Sequence, residues 1–143
     1  MLIRDLLKHK SSELLTVSPD DDIRQSATVM VDEGVSALVV EAENGQLAGI
    51  LTERDVARYF ATSGNGTTAQ VRDAMTSDII TCSVEHRVGE IAEIMSDSNI
   101  RHLPVLVDGK VTAIVSIRDI VRFHLSALEN ENHTLRELVA ALD

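Results

Sequence analysis

The hydrophobic and polar positions at the start of the chain first predict a strand and then a helix. The run "LLTVS" (14–18) carries the apolar and β-branched residues of a short strand, and Pro19 ends it. Asp22 and Gln25 fit the capping box that begins a helix, and Gly34 suits the position after its last turn. The apolar residues at helical spacing that predict its buried face are Ile23, Ala27, Met30 and Val31.

Two further strands and a second helix complete the unit. The segments "SALVVEA" (36–42) and "QLAGILT" (46–52) are apolar strands separated by Asn44-Gly45, a strong hairpin signal. Residues 52–61 predict the second helix. The strands are apolar at nearly every position, which indicates that both of their faces are covered, as in an α/β fold. The order of elements is therefore β-α-β-β-α.

The same unit occurs twice along the chain. Residues 16–40 align with residues 81–105 at a shift of 65, and residues 45–58 align with residues 109–122 at a shift of 64. The lost residue falls in the hairpin, where a change of length is tolerated, and Asp108-Gly109 forms the second hairpin turn. We therefore treat the chain as a tandem repeat.

Short lead-in segments precede both units, "IRDLL" (3–7) and "VRDAM" (71–75). A repeat of about sixty residues buries little core alone. We therefore predict an α/β (α+β) fold in which two β-α-β-β-α repeats pack around a pseudo-two-fold axis, with two similar clefts between them. The predicted segments are the first repeat with its lead-in helix (1–62), a flexible linker (63–70), the second repeat (71–125) and a C-terminal helical tail (126–143).

Charge and composition exclude several classes of function. The 143 residues carry a formal net charge of −10, which argues against nucleic acid binding because phosphate backbones need a basic stripe. No apolar run approaches the roughly 20 residues of a membrane span, and the N-terminus lacks a signal-peptide core, so we expect a cytoplasmic protein without membrane insertion. A single cysteine and five scattered histidines leave no metal site to assign.

The most informative feature is a corner between strand and helix that recurs as "GILTERDVARYF" (49–60) and "AIVSIRDIVRFH" (113–124). In each corner a hydroxyl and an acid fit a capping box, which stabilises a helix by about 1 kcal/mol. A purely structural role is therefore one explanation of the motif. The pairs are Thr52 with Asp55, and Ser116 with Asp119.

Other features of the corners favour a ligand site. Both corners lie beside the predicted clefts, and Arg54 and Arg118 each add a cation at a helix N-terminus, which already attracts anions. A carboxylate such as Asp55 or Asp119 can accept hydrogen bonds from both ribose hydroxyls. Phosphate would then go to the arginine, the hydroxyl and backbone N–H groups. This division of roles predicts a nucleotide ligand.

The two corners, the "RHLPVLVDG" strand and hairpin (101–109) and the doubled β-α-β-β-α order resemble a pair of cystathionine-β-synthase (CBS) domains, or Bateman module. The resemblance covers about residues 1–125. It implies a stand-alone CBS pair whose corners hold the ribose and phosphates of an adenosine derivative. AMP, ADP, ATP, S-adenosylmethionine and NAD-type dinucleotides are the ligands it implies, and no other cofactor is required.

The resemblance implies roles for particular residues of this chain. It places the hydroxyls of Thr52 and Ser116 and the acids Asp55 and Asp119 on the nucleotide, with Arg54 and Arg118 near phosphate. At the starts of the strands "SALVV" and "HLPVLV", Ser36 and Ala37 would approach the base, and Arg101 or His102 could reach phosphate. Entry segments near Ser12 and Ile80 would complete the pockets.

Three residues depart from a simple repeat. Ala113 stands where the first corner has Gly49, which predicts a tighter second cleft, with a different ligand or none. His102 has Ala37 as its counterpart, so the fold does not need it, and a functional role and a surface position are both open. Cys82 is most simply a small buried hydrophobe.

The tail outside the repeat has leucines seven residues apart. This spacing predicts a helix from about Thr134, too short for an independent coiled coil, which would dock on its own module or on a partner's. The resemblance implies a homodimer formed through helices. The residues that form the stripe are Leu128, Leu135 and Leu142, with Leu138 and Val139 beside them.

The leading hypothesis is a regulatory module that is not an enzyme. It binds an adenosine nucleotide (AMP, ADP, ATP or NAD-type) between the repeats and signals by conformational change to an effector protein in trans. The arginines favour phosphorylated ligands over S-adenosylmethionine. The alternative is a dimerisation or interaction module with non-functional clefts. An enzyme using Cys82 or His102 is a third class, for which the spacing supplies no further catalytic group.

Overall fold

The structure, a computed structural model, describes residues 1–10, 13–63 and 69–142. Both repeats have the predicted order of elements, each preceded by a short lead-in helix. The first half contains α1 (Ile3–Leu7), β1 (Thr16–Val17), α2 (Ile23–Glu33), β2 (Ala37–Glu41), β3 (Leu47–Thr52) and α3 (Glu53–Ser63). The second contains α4 (Val71–Ala74), β4 (Cys82–Ser83), α5 (Val88–Ser98), β5 (His102–Val107), β6 (Lys110–Ser116) and α6 (Ile117–Leu142).

Each repeat folds around a three-stranded sheet, ordered β1-β2-β3 in the first and β4-β5-β6 in the second. The short first strand runs parallel to the central strand, and the central strand pairs antiparallel with the third. Leu38, Val39 and Val40 of the central strand β2 are fully buried, which explains its continuous apolar sequence. The predicted α/β (α+β) fold with two repeats and pseudo-two-fold symmetry is confirmed.

The turn chemistry predicted from the sequence is present in both hairpins. Asp108 and Gly109 have φ values of 52° and 79°, so both central residues of the second turn have positive φ. That combination defines the type I′ turn, which suits the twist of the flanking strands. Gly45 has φ 78° in the first hairpin, whose connection is longer.

Helix α2 begins and ends where its sequence predicts, but the prediction of its buried face is wrong at one residue. The Asp22 carboxylate accepts a hydrogen bond from the Arg24 N–H at 3.1 Å, and Gly34 ends the helix at φ 67°. Val31 is 80% exposed. Ser26 is buried instead, and its hydroxyl donates to the Asp22 carbonyl at 3.0 Å.

The first lead-in helix packs in the core of the second repeat. Ile3 and Leu6 of α1 belong to the same buried cluster as Val88 and Ile91 of α5. The backbone N–H of Ile3 donates to the carbonyl of His86 at 2.8 Å. The segment that precedes repeat one along the chain therefore completes the core of repeat two.

The second lead-in helix packs on the first repeat in the same way. Val71 of α4 is fully buried in a cluster with Met30 and Leu38. Its backbone N–H donates to the carbonyl of Asp21 at 2.8 Å, and the N–H of Ile23 donates to the carbonyl of Ala69 at 3.0 Å. The two repeats are thus joined by an exchange of lead-ins in addition to any contact between their sheets and helices.

The predicted C-terminal helix exists, but its predicted start is wrong. Helix α6 runs without interruption from Ile117 to Leu142, a length of 26 residues, so the corner helix and the tail helix are one. No glycine or proline follows Gly109, and nothing in the polar stretch after Leu128 stops a helix. Every residue from Leu128 to Leu142 is exposed, so the tail does not dock on its own module.

We predict that Ile3→Ala lowers the free energy of unfolding by about 2–5 kcal/mol, although Ile3 lies near the N-terminus, because the side chain is fully buried in the core of the other repeat. Chemical denaturation monitored by circular dichroism measures the change. The control is Lys8→Ala, an exposed residue of the same segment, for which about 0.5 kcal/mol or less is expected. An equally small effect at Ile3 would contradict the exchange of lead-ins.

Candidate functional site

The two repeated corners have the same internal geometry. The Thr52 N–H donates to Asp55 Oδ2 at 3.0 Å, and the Asp55 N–H donates to Thr52 Oγ1 at 3.2 Å. The Ser116 N–H donates to Asp119 Oδ2 at 2.9 Å, and the Asp119 N–H donates to Ser116 Oγ at 3.2 Å. Both acids therefore close capping boxes, as the structural explanation requires. In each carboxylate, however, the second oxygen or the remaining lone pairs can still accept hydrogen bonds from other donors.

A second backbone contact places the corners beside the starts of the central strands. The Glu53 N–H donates to the Ser36 carbonyl at 3.1 Å, and the Ile117 N–H donates to the Arg101 carbonyl at 2.9 Å. Each helix N-terminus is thereby fixed against the residue that precedes the central strand. The fold thus brings Ser36 and Arg101 to the corners.

The first corner is covered by the chain just after α4. Thr76 forms an antiparallel bridge with Ile50, with both N–H to carbonyl distances at 2.9 Å. The Thr76 hydroxyl also donates to Asp55 Oδ1 at 3.1 Å. The side chain of Asp55 is buried as a result, with only 6% of the residue exposed. Nothing could reach this carboxylate unless Thr76 moved.

Gly49 is required by this covering segment. A Cβ atom added at Gly49 would lie 2.5 Å from the backbone carbonyl oxygen of Thr76 and 3.2 Å from the sulfur of Met75. The first distance is shorter than any side chain could accept. The glycine of the first corner therefore permits the close approach of a backbone.

The second corner is open to a cavity of about 1110 Å³. Here Lys10 contacts the acid, as Thr76 does at the first corner, but it does so through the end of a long side chain. Its Nζ atom donates to Asp119 Oδ2 at 2.8 Å and also to the carbonyl of Ile114. The Asp119 side chain remains 17% exposed. This carboxylate is held by a group that can move away without displacing any backbone.

The expectation that Ala113 makes the second cleft tighter is wrong. Ala113 lines the large cavity. The expectation of two similar clefts also fails, because one corner is covered by backbone and the other opens onto the cavity.

The cavity gathers half of the predicted site residues. Arg54 lies outside the cavity, and its guanidinium donates to the Asn99 carbonyl at 3.4 Å. Ile80 is exposed and does not line the cavity, and Ser12 lies outside the described residues. Thr52 and Asp55 belong to the covered corner. The predicted residues that line the cavity are Ser36, Ala37, Arg101, Ser116, Arg118 and Asp119.

His102 does not line the cavity, yet it joins the two repeats. Its Nε2 atom lies 2.8 Å from Ser36 Oγ, so the hydrogen bond connects the starts of the two central strands. Burial lowers the pKa of His102 below its usual value, and the charges of Lys10 and Arg101 lower it further against the opposing effect of Asp119 and Asp55. The imidazole is therefore neutral near pH 7.

Sequence analysis missed several residues of the cavity, of which Lys10 is the most important. Lys10 and Asp119 are 109 positions apart, and no local pattern relates them. The charged lining is balanced, with four Lys or Arg residues against four Asp or Glu residues, although the whole chain carries −10. The cations are Lys10, Arg101, Arg118 and Arg122, and the anions are Glu13, Glu33, Glu53 and Asp119.

The surroundings of Asp119 keep it ionised. Burial raises the pKa of its carboxyl, but the hydrogen bonds from Lys10 and Ser116 and the charge of Lys10 outweigh burial and hold the pKa below its usual value. The site therefore presents a carboxylate acceptor at neutral pH.

Cys82 is remote from this chemistry. It lies in β4 within the core of the second repeat. Burial raises the pKa of its thiol to about 11. A protonated, buried thiol is a poor nucleophile.

Comparison with known proteins identifies the family. The family profile for the CBS domain matches residues 3–62 and 71–126, so the chain belongs to the CBS domain family. As a pair of such domains it is a regulatory module by class. The match covers both corners and both sheets described above.

Three similar proteins illustrate the relationship. The CBS domain-containing protein CBSX3 of Arabidopsis thaliana is 36% identical over 84% of this chain, which spans 63% of that relative, less than two thirds of its length. The crystal structure of ATU1752 from Agrobacterium tumefaciens has a TM-score of 0.82 and 32% identity, over 87% of this chain and 99% of that one. The CBS domain pair of protein MJ0100, in complex with 5-methylthioadenosine and S-adenosyl-L-methionine, has a TM-score of 0.79 and 27% identity, over 89% of this chain and 98% of that one.

Within the described ranges, each helix is either too short or too polar to cross a bilayer.

We predict that Lys10→Met raises the pKa of Asp119, because both the hydrogen bond and the charge of Lys10 lower that pKa. Asp119 stabilises the fold above the unfolded carboxyl pKa of about 3.9, and this contribution is lost as pH falls through the lower folded pKa. In the variant the loss begins at higher pH. Carbon-detected NMR titration of the Asp119 carboxyl measures the shift, with Lys8→Met as control. An unchanged pKa would show that Lys10 does not contact Asp119.

A second prediction concerns His102, whose folded pKa is lowered. From about pH 6.5 down to the folded pKa, the unfolded state binds more protons than the folded state, so wild-type stability decreases as pH falls through this window. The His102→Gln variant has no titrating side chain at this position. The difference between its free energy of unfolding and that of the wild-type protein, measured above pH 7.5, should therefore decrease as the pH falls. Urea denaturation at several pH values tests this. Parallel curves for the two proteins would refute the assigned environment.

Proposed function

We propose that the protein is a non-enzymatic sensor that binds an adenosine nucleotide in the cavity beside Asp119 and signals the bound state to an effector protein in trans. The observation that carries the proposal is an ionised, half-buried carboxylate at a helix N-terminus, opening onto a cavity of about 1110 Å³. This volume lies slightly above the usual range of small-molecule sites, about 300–1000 Å³, so a nucleotide has room to enter. The capping box holds the carboxylate in place while leaving part of it free to accept.

On binding, the ribose hydroxyls would replace Lys10 as the hydrogen-bond donors to Asp119. Two ribose hydroxyls can donate to one carboxylate, as they do in dinucleotide folds. The Lys10 ammonium, which now donates to Asp119, would be released from it. It would then be free to pair with a phosphate of the same ligand, so little charge would be left unpaired by the exchange.

Phosphate would be held by the remaining cations of the cavity. Arg118 lies in the first turn of α6, where the helix dipole also favours an anion. Arg101 and Arg122 line the same cavity. These three guanidinium groups favour AMP, ADP, ATP or an NAD-type dinucleotide, while the charges of the lining as a whole are balanced.

The base would lie between aliphatic side chains. Tryptophan is absent, and the chain has one tyrosine and two phenylalanines, so stacked rings are scarce. The apolar lining on the side of the first repeat is Leu14, Leu15, Met30, Val31, Val35 and Ala37. Ser36, at the start of β2, adds a hydroxyl that could distinguish the edge of the base.

S-adenosylmethionine and methylthioadenosine form the second candidate ligand class. They are present in the structure of the MJ0100 domain pair, which is 27% identical to this chain. They carry no phosphate, so methylthioadenosine would use Asp119 and the apolar wall alone, and S-adenosylmethionine could add only its single carboxylate to an arginine. The class of ligand is therefore decided by whether the protein responds to phosphorylated ligands.

The proposal includes a homodimer, an effector in trans and a cytoplasmic location, where a free thiol such as Cys82 stays reduced. Nucleic acid and membranes are not among the proposed partners. The covered corner suits the rival explanation better, since Asp55 has 6% exposure and both of its carboxylate oxygens accept hydrogen bonds, from the Thr52 N–H and the Thr76 hydroxyl. Under the proposal, Thr52, Arg54 and Asp55 stabilise the fold, and one cleft does the sensing.

We predict that Asp119→Asn weakens nucleotide binding at least tenfold, because the ribose loses its charged acceptor. The measurement is thermal shift with AMP, ADP, ATP, NAD(H) and S-adenosylmethionine. A ligand at a hundred times its dissociation constant stabilises wild type by roughly 2.7 kcal/mol, and a tenfold weaker ligand gives roughly 1.4 kcal/mol. The matched control is Asp55→Asn, which removes the same charge from the covered corner and should keep the full ligand-induced shift.

Arg118→Ala, in the same assay, separates the ligand classes. Loss of the shift with AMP or ATP, with the S-adenosylmethionine response unchanged, would support a phosphorylated ligand. A shift of the wild-type protein with S-adenosylmethionine but not with AMP, ADP, ATP or NAD(H) would favour the S-adenosylmethionine class. If no ligand shifts the melting temperature of the wild-type protein, the interaction module with non-functional clefts is the better explanation.

A further inference from the structure

Helix α6 has two apolar faces, of which only one is used by its own module. Ile120 is 5% exposed, and it packs with Phe123 against the core of the second repeat. On a different face of the same helix, Val121, Leu125 and Leu128 are 50–54% exposed. The outer face continues along the part of α6 that lies beyond the module.

The outer face follows a heptad pattern. With Leu125 as an a position, the a and d positions lie on one face of α6 over three heptads, and this face points away from the module. We refer to this set of a and d positions as the α6 seam. The d positions are Val121, Leu128, Leu135 and Leu142, and the a positions are Leu125, Asn132 and Val139. Leu at three d positions and Val at one a position are typical of two-stranded coils.

Asn132 is the one polar residue of the α6 seam. In a parallel pair, a positions face a positions, so the Asn132 amide would meet the same amide of a second copy and hydrogen-bond to it. In an antiparallel pair, a positions face d positions, so the amide would lie against a leucine without a partner, which is costly. Asn132 therefore favours two parallel strands in register.

The residues that flank the α6 seam are complementary in the same orientation. In parallel coils the g position of one helix lies near the e position five residues later in the other. Glu131 at g would face Arg136 at e, and His124 at g would face Glu129 at e. Within the described residues, neither Glu131 nor Arg136 has an ion-pair partner within 4.0 Å.

From the seam, its asparagine and its flanking charges, we infer that α6 forms a parallel, in-register two-stranded coiled coil with α6 of a second copy of this chain. The face used by the module and the α6 seam are separate, so the coil can form while Ile120 and Phe123 keep their packing. The inference specifies the interface of the homodimer that the proposed function includes, and it does not depend on nucleotide binding.

The first test is a charge swap in the full chain, with the dimer dissociation constant measured by sedimentation equilibrium at low ionic strength. Glu131→Arg replaces two attractive pairs of the dimer by two repulsive pairs, so the constant should rise roughly tenfold. Combining Glu131→Arg with Arg136→Glu should restore it. The matched control is Glu137→Arg, the same charge change at an f position, which should leave the constant unchanged.

The double variant distinguishes the orientations. In an antiparallel coil, e positions face e positions, so Glu129 would meet Arg136, and the double variant would leave two acids facing each other. Restored dimerisation therefore supports the parallel coil. Failure of the double variant to recover, or no effect of Glu131→Arg, would overturn the inference.

The second test is disulfide trapping. Leu128→Cys should yield a covalent dimer on mild oxidation, because d positions of parallel copies face each other. Asn130→Cys, on the opposite face, should not. In an antiparallel coil centred on the α6 seam, residue 128 would lie near residue 139, about 16 Å along the axis from its own copy. Native Cys82 is buried and does not interfere. A wild-type chain that remains monomeric, or no cross-link at Leu128, would overturn the inference.

Discussion

The exchange of lead-in segments is the constraint on which the site depends. Each repeat buries the helix that precedes the other one, so Ile3 sits in the second core and Val71 in the first. The exchange also has a chemical consequence, because the same segments bring polar groups to the corners. Thr76 follows α4 and reaches Asp55, and Lys10 follows α1 and reaches Asp119. Packing of the apolar lead-ins therefore decides what each corner carboxylate contacts.

Pseudo-symmetry of the fold does not extend to the chemistry of the corners. The capping boxes agree within 0.1 Å between the two repeats. Beyond them, one acid is covered by a backbone bridge and the other by a flexible amine. Gly49 reflects this difference, since a Cβ atom there would lie too close to the Thr76 carbonyl oxygen, whereas its counterpart Ala113 lines the cavity. A duplicated sequence has thus produced one closed position and one accessible position.

Local signals in the sequence predicted most of the fold and part of the site. Caps, hairpin turns and the repeated corner depend on residues a few positions apart, so Asp22, Gly109 and Asp119 could be assigned correctly to their elements. Val31 was misplaced because several helical stripes fit α2 and only packing decides among them. Lys10 could not be found, since its contact with Asp119 depends on the exchange of lead-ins. The leucine spacing places the start of the last helix too late, because the polar stretch after Leu128 contains no glycine or proline that would end α6.

The continuity of α6 has a mechanical consequence. Its first turn contains the residues of the open corner, and its 26 residues extend about 39 Å to the far end without a kink-forming glycine or proline. A rigid rod pivoting at the corner magnifies small movements: a tilt of about 5° would displace the distal tip by roughly 3 Å. Sub-ångström movements around one carboxylate could therefore become shifts of several ångströms at the distal end of α6. Another molecule could bind there, far from the cavity.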